Sequence, residues 1–313
     1  MTPMSDCREP KTVERIAPVA ISDGMNVGEG FRAIARNCLD QLGTAMTLVT
    51  TEGDHEAIHQ CRVAISRLRI ALALFGPAVD QAEAKRQRRR LRRLAHALAP
   101  ARDLDVLIER IAPEGSVQLV SHLAVLRDEE VSRAAACLAR PDTIHTLTVL
   151  RAWLDKQEAA GALEPFAAKA LDRYRKSLPR KRRRLRAMDD GELHRLRLKV
   201  KRLRYATGFL APVFRNADAA PHEHLLARLQ DKLGTLHDMA VAHSGVAVED
   251  LAPEYNAELR ALLTHKGASR GKLLRSISRL LKRHRHAPRW WRDETGETDG
   301  TSPPASPDSS LSA

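Results

Sequence analysis

The sequence predicts an all-α fold built from two structural repeats of about four helices each. Three observations predict it. Apolar residues recur at helical spacing in almost every segment of a chain rich in Leu, Ala and Arg. The alternating β-branched pattern of strands is nearly absent. Adding 135 to a residue number superposes one half of the chain on the other without a gap.

Taken in order, residues 1–24 carry acids and prolines and no apolar run, which predicts a disordered lead and no signal peptide. Helices are expected at 26–50, 55–75, 79–98, 103–111, 115–139, 142–160, 163–186, 191–210, 217–233, 238–248 and 255–284. Asp54 and Asp190 are the expected N-caps of the second and eighth helices. Pro77 and Pro212 must stop those helices, because proline lacks the amide proton and clashes with the preceding turn. Gly234 is an expected C-cap. The ordered body is expected over 25–285, divided into repeats of about 25–140 and about 141–285. A disordered tail is expected over 286–313, and its stretch 293–313 is rich in Ser, Pro, Gly and Asp.

The offset is carried by specific residues. His59 falls on His194, Arg62 on Arg197, Arg67 on Arg202, Arg69 on Arg204, Pro77 on Pro212 and Asp103 on Asp238. Over 59–106 against 194–241 there are 15 identities in 48 positions, and Phe31 falls on Phe166 one helix earlier. Chance leucine and arginine matches do not supply a His, a Pro and an Asp at one spacing. The two halves are expected to pack about a pseudo-two-fold axis that brings equivalent faces to a shared centre.

On a helical wheel with His59 at zero, Arg62 lies near 300° and Arg69 near 280°, forming one stripe. Cys61, Ile65, Leu68, Leu72 and Phe75 form the core face. In the second copy His194, Arg197, Lys201 and Arg204 make the stripe, and Leu196, Val200, Leu203, Thr207 and Leu210 the core face. Arg67 and Arg202 point to another side of their helices, near 80°. Like charges three and four residues apart repel by a few tenths of a kcal/mol each. A row repeated in both halves therefore suggests an anionic ligand, against the plainer reading of a solvated charged face. Guanidinium forks match phosphate oxygens two at a time, and a bound polyanion would raise the pKa of His59 and His194.

Lys plus Arg exceed Asp plus Glu by 52 to 39, for a net charge of +13, which directs the search to acidic partners. The five Phe, three Tyr and three Trp are few for a protein that stacks nucleobases. Cys7, Cys38, Cys61 and Cys137 form no CxxC pair, which argues against a zinc knuckle or disulfide framework and for a reducing cytoplasm. No stretch approaches 18 uncharged apolar residues, so no membrane span is expected. Neither His has a second ligand at metal-like spacing, and no carboxylate cluster suits Mg²⁺. No catalytic residue, metal or cofactor is expected, and the chain reads as a binding protein rather than an enzyme.

Asp103 and Asp238 are expected just past a helix end, capping the next helix and orienting a neighbouring Arg. Arg102 and His237, which precede them, are candidates for the same anion site, as are Arg32 and Arg36 on the first helix. The runs 85–93 (KRQRRRLRR) and 180–186 (RKRRRLR) either extend a basic channel or form solvated surface. The segment 280–292 (LLKRHRHAPRWWR) reads as a packed terminus or a peripheral contact patch.

The blocks HQCRVAISRLRIALALF, LAHALAPARDLDVL, ELHRLRLKVKRLRYATGFLAPVF and LQDKLGTLHDMAVA, in this order, resemble the signature blocks of the CHAD family. The resemblance covers roughly residues 25–285. It implies two four-helix bundles with internal pseudo-symmetry around a basic central surface or pore. It also implies binding of inorganic polyphosphate and, for some members, association with polyphosphate granules. By the resemblance the binding positions are His59, Arg62, Arg67, Arg69, His194, Arg197, Lys201, Arg202 and Arg204. The chain departs from the pattern at Ser66, where the family usually has Arg or Lys, which implies a weaker grip in the first half. Many relatives carry a fused triphosphate-tunnel domain. No such β-rich segment is recognised here, so triphosphatase activity is not implied. Nucleic acid is the alternative partner. The preferred chain length and the oligomeric state are not legible in the sequence.

Overall fold

The computed structural model describes residues 21–22, 24–179, 185, 187–215, 218–243, 251–265 and 270–292. Among them every regular element is helical, and the sole β feature is an isolated antiparallel bridge between Asn26 and Ala162. The helices are α1 (Val27–Glu52), α2 (His55–Phe75), α3 (Gln81–Ala97), α4 (Ala99–Ile111), α5 (Val117–Ala139) and α6 (Pro141–Asp155), followed by α7 (Leu163–Lys176), α8 (Asp190–Leu210), α9 (Ala220–His243), α10 (Pro253–His265) and α11 (Arg270–His286). No helix among the described residues is long and apolar enough to cross a membrane.

The local chemistry explains most boundaries. Asn26 and Glu29 form a capping box at the start of α1, and Gly53, at φ 64°, closes it in the left-handed conformation that only glycine adopts freely. Asp54 caps α2, accepting from the amides of Glu56 and Ala57. The cap of α8 is Asp189 rather than Asp190, because Asp189 can form a box with Glu192; Asp190 pairs with Arg270 at 2.6 Å. Pro77 and Pro212 sit in short 3-10 turns directly after α2 and α8, as their chemistry requires.

Other boundaries differ from the sequence reading. Helix α4 starts at Ala99 with Pro100 in its first turn, where a missing amide proton costs nothing, so Asp103 lies inside the helix and caps nothing. Gly234 is interior to α9, which runs continuously where two helices were expected, so position 238 lies inside a helix rather than at its start. Leu229, Leu233 and Leu236 are buried on either side of Gly234. Their burial outweighs the roughly 1 kcal/mol that a helical glycine costs. The helix expected over 255–284 is instead α10 and α11, and the stretch between them contains Gly267. Helix α7 ends ahead of Pro179.

Helix α1 packs along α2; α2 also meets α3, α4 and α8; α8 meets α7 and α9; α9 meets α11. The expected core faces of α2 and α8 are all buried. Phe31 and Phe166, equivalent under the 135-residue offset, both lie against Phe75, with centroids at 5.3 and 5.1 Å. This aromatic stack ties α1 and α7 to the end of α2. A smaller cluster around Ile111, Leu119, Leu123 and Leu259 joins α4 and α5 to α10.

The expected tail from residue 286 includes a packed segment. Trp291 is buried and donates to Asp172 at 3.1 Å, and Arg292 also bonds that carboxylate. Arg175 holds the turn by donating to the carbonyls of Arg285 and Ala287. Beneath it His222 and His284 stack with a ring nitrogen contact of 3.0 Å, and Trp290 donates to His222. Burial pushes these imidazoles down to about 4 and about 3, so both are neutral packing groups at physiological pH. The segment 280–292 is therefore a packed terminus.

Candidate anion-binding site

The signature helices α2 and α8 pack against each other, which brings their cationic rows together. Lys201 on α8 lies within electrostatic reach of Arg62 and Arg69 from α2 and of Arg197 and Arg204 from its own helix. Burial, reinforced by these four guanidiniums, lowers its pKa to about 8. Its ammonium lies over the ring of Tyr205, 5.7 Å from the centroid. Arg69 in turn faces Arg88, Arg92 and Arg202. Burial pushes Arg62, Arg69 and Arg88 below the ordinary guanidinium range, and neighbouring arginines push the same way.

The hydrogen-bond inventory of this centre is incomplete. The Nε–H groups of Arg69, Arg88 and Arg197 are buried without a hydrogen-bond partner, as is that of Arg67 outside the row. A buried donor left unpaired costs about 1–3 kcal/mol. Arg62 donates to the carbonyl of Ala95 at 3.0 Å and lies near Asp103 and Arg102.

The histidines flank the row in matching settings. His59 sits beside Arg102, and at the equivalent place in the second half His194 sits beside His237, ring centroids 5.0 Å apart. Burial, with Arg102 adding to it, lowers the pKa of His59. Asp103 lies near Arg62, His237 and Arg102, so a carboxylate of the first half bridges toward the second. Burial raises its pKa and Arg62 opposes that shift. The capping role expected of Asp103 does not match this placement, which is inside α4.

Not every candidate joins the cluster. Arg67 leaves the row, as its wheel angle predicts: it lies over the Phe209 ring, 5.2 Å from the centroid, and bonds the thiol of Cys38. Arg202 shares that wheel angle, yet it is exposed and reaches Arg69 and Arg88 from the facing helix. A wheel drawn on one helix cannot show what a neighbouring helix brings across. Arg32 bonds the carbonyl of Gln157, and Arg36 pairs with Asp155 at 2.7 Å; both tie α1 to the end of α6. Arg102 also pairs with Glu109 at 3.3 Å and Asp105 at 3.6 Å.

The sequence reading missed Arg88, Tyr205 and Tyr174 as members of the site. Arg88 lay within a uniform basic run, and the structure separates that run. Arg88 turns inward to Arg69 and Arg202, while Arg86 pairs with Glu83. Tyr174 stands near Arg88 and Arg202, with burial raising its pKa. The available signal was spacing: Arg88 and Leu91 are three apart, and Leu91 is core. The second basic run, apart from Leu185, lies outside the described residues. No group of three or more metal-ligating side chains occurs among the described residues.

The arrangement suits a ligand bearing many closely spaced negative charges. Cations gathered from α2, α3 and α8 lose their mutual repulsion and gain partners when such a chain lies between them.

The family model of the CHAD domain matches residues 33–247. The crystal structure of the CHAD domain from the plant Ricinus communis is similar, with a TM-score of 0.75 and 25% identity, covering 87% of this chain and 97% of that one. PptA from Streptomyces chartreusis shares the fold at a TM-score of 0.57 and 18% identity, covering 84% of this chain and 100% of that one. A search of curated proteins found no match. The four sequence blocks, the paired helices and the family match together place this chain in the CHAD-domain family.

Proposed function

We propose that this protein binds inorganic polyphosphate along the two facing cationic rows and acts as a binding module rather than an enzyme. The observation that carries the reading is the convergence of Arg62, Arg69, Arg88, Arg197, Lys201 and Arg204 with unpaired Nε–H groups among them. In this reading the two repeats form four-helix bundles about a pseudo-two-fold axis, and the polyphosphate lies on the basic surface between them. His59, His194 and His237 flank the path as hydrogen-bond donors to the anion. Membership in the CHAD family supports the ligand class and suggests polyphosphate granules in the cytoplasm as the place of action.

Each phosphate neutralised releases condensed counterions, so affinity falls steeply with salt. The test is a titration of the purified protein with long-chain polyphosphate at physiological salt, with duplex and single-stranded DNA as competitors. The reading expects saturable binding, poor competition by DNA, and weakening by Arg197→Ala or Arg204→Ala at unchanged helicity. Equal competition by DNA would favour a general nucleic-acid binder. Unchanged affinity in both variants would remove the rows from the site.

A further inference from the structure

Helix α3 has a second basic face, and it turns away from the central cluster. While Arg88 and Arg92 look toward Arg69, Arg90 and Arg93 line an open pocket of about 310 Å³ bounded by α3, the end of α5 and the start of α6. Arg140, at the junction of α5 and α6, supplies a third guanidinium. None of the three pairs with a carboxylate among the described residues, and the pocket lining holds a single acid, Asp142. The remaining wall is largely apolar: Leu91, Leu94 and Leu147 line it, with Thr143, Thr146 and the thiol of Cys137. Thr143 donates to the carbonyl of Cys137 at 2.8 Å, which joins the last turn of α5 to the first turn of α6.

This composition differs from that of the central rows. A bare polyanion gains nothing from leucines, and a neutral apolar molecule gains nothing from three guanidiniums. Small-molecule sites combine a mostly apolar cavity of roughly 300–1,000 Å³ with a few convergent polar groups. We propose that the pocket between α3, α5 and α6 is a second binding site, taking a small amphiphilic organic anion with a phosphate, sulfonate or carboxylate head on an apolar body. The head sits among Arg90, Arg93 and Arg140, and the body lies on Leu94 and Leu147.

Cys137 gives the site its own reporter. It lines the pocket and is half-buried. Cys38 and Cys61 are buried with thiol pKa values raised by burial, Cys61 to about 12, so both react slowly. In a Cys7→Ser background, alkylation of Cys137 by N-ethylmaleimide therefore reads occupancy of the pocket. The probe is 1-anilinonaphthalene-8-sulfonate, which carries one anionic head on an apolar body. The expected result is one saturable binding event that slows alkylation of Cys137 in parallel. Arg93→Glu and Arg140→Glu should each weaken it by about tenfold, the worth of a charge-assisted contact. Thr146→Trp, which fills the pocket without touching charge, should abolish protection at unchanged helicity, and decides the matter should a charge reversal fail to fold. An alkylation rate indifferent to the probe would overturn the proposal, as would equal binding by the variants. Equal protection by inorganic phosphate or polyphosphate would overturn it too, because the apolar wall would then play no part.

Discussion

At the end of the cationic row in α2, Arg69 faces Arg88 from α3. At the equivalent place in α8, Arg204 faces Glu223 from α9. Positions 88 and 223 are themselves 135 apart, so the repeat delivers one geometric slot twice and fills it with opposite charges. The difference is reversed one turn earlier on the helix, where α2 has Ser66 and α8 has Lys201. The first half thus concentrates unpaired positive charge at its far end, and the second half concentrates it in the middle of the row. Sequence reasoning that looked only at Ser66 expects a weaker first half. Arg88 and Glu223 redistribute the charge, so in the proposed reading Arg69 should carry more of the binding than Arg204.

The comparison can be broken at its strongest point first. Arg69→Ala should reduce polyphosphate affinity by about 10–100-fold, the worth of a charge-assisted hydrogen bond in a partly desolvated site. Arg204→Ala should cost less, because Glu223 already offsets that arginine. Equal losses in the two variants, measured by titration, would erase the distinction. Arg69→Ala should also reduce the slope of log affinity against log salt by about one.

Next in size is a pH effect that Lys201 of α8 carries above neutrality. Lys201, with its pKa lowered to about 8, loses its proton in the free protein as pH rises through that value, while a bound polyanion favours the charged form. Affinity should therefore fall as pH rises above about 8, by up to about tenfold per pH unit, and Lys201→Met should flatten the profile. Stability of the free protein has the opposite sign. The folded pKa lies below the unfolded one, so the unfolded chain holds more protons from about pH 8 upward. The free protein gains stability as pH climbs through that window. Thermal melts across pH 7–10, with and without ligand, separate the two effects.

Two smaller changes sharpen the contrast. Ser66→Lys should tighten binding several-fold and lower the melting temperature of the free protein, because it adds a like charge within reach of the row. Glu223→Gln should tighten binding slightly by releasing Arg204. Tighter binding from Ser66→Lys without any loss of free-protein stability would show that position 66 does not share the field of the row.

Much of this site is written in α2 and α8 themselves. Their core faces, the Pro77 and Pro212 stops and the stripes of His59, Arg62, Arg69, His194, Arg197, Lys201 and Arg204 follow from periodicity within single helices. What the sequence conceals comes from contacts between helices. Arg202 points away from its own row yet meets Arg69, because α2 and α8 are packed together. Arg88 is one of several arginines in α3, and only the position of α2 selects it. Asp103 looked like a cap because a helix was expected to begin at 103, whereas Pro100 sits in the first turn of a helix that begins at Ala99. Gly234 looked like an end because local propensity ignores the leucines that bury α9 around it.

In the proposed reading α2 and α8 hold one ligand between them. A titration of wild-type protein, Arg69→Ala and Arg197→Ala with a short polyphosphate tests it most directly. One ligand per protein is expected in all three, with affinity reduced in each variant. Two ligands bound to wild type, and one still bound at full affinity to each variant, would contradict it.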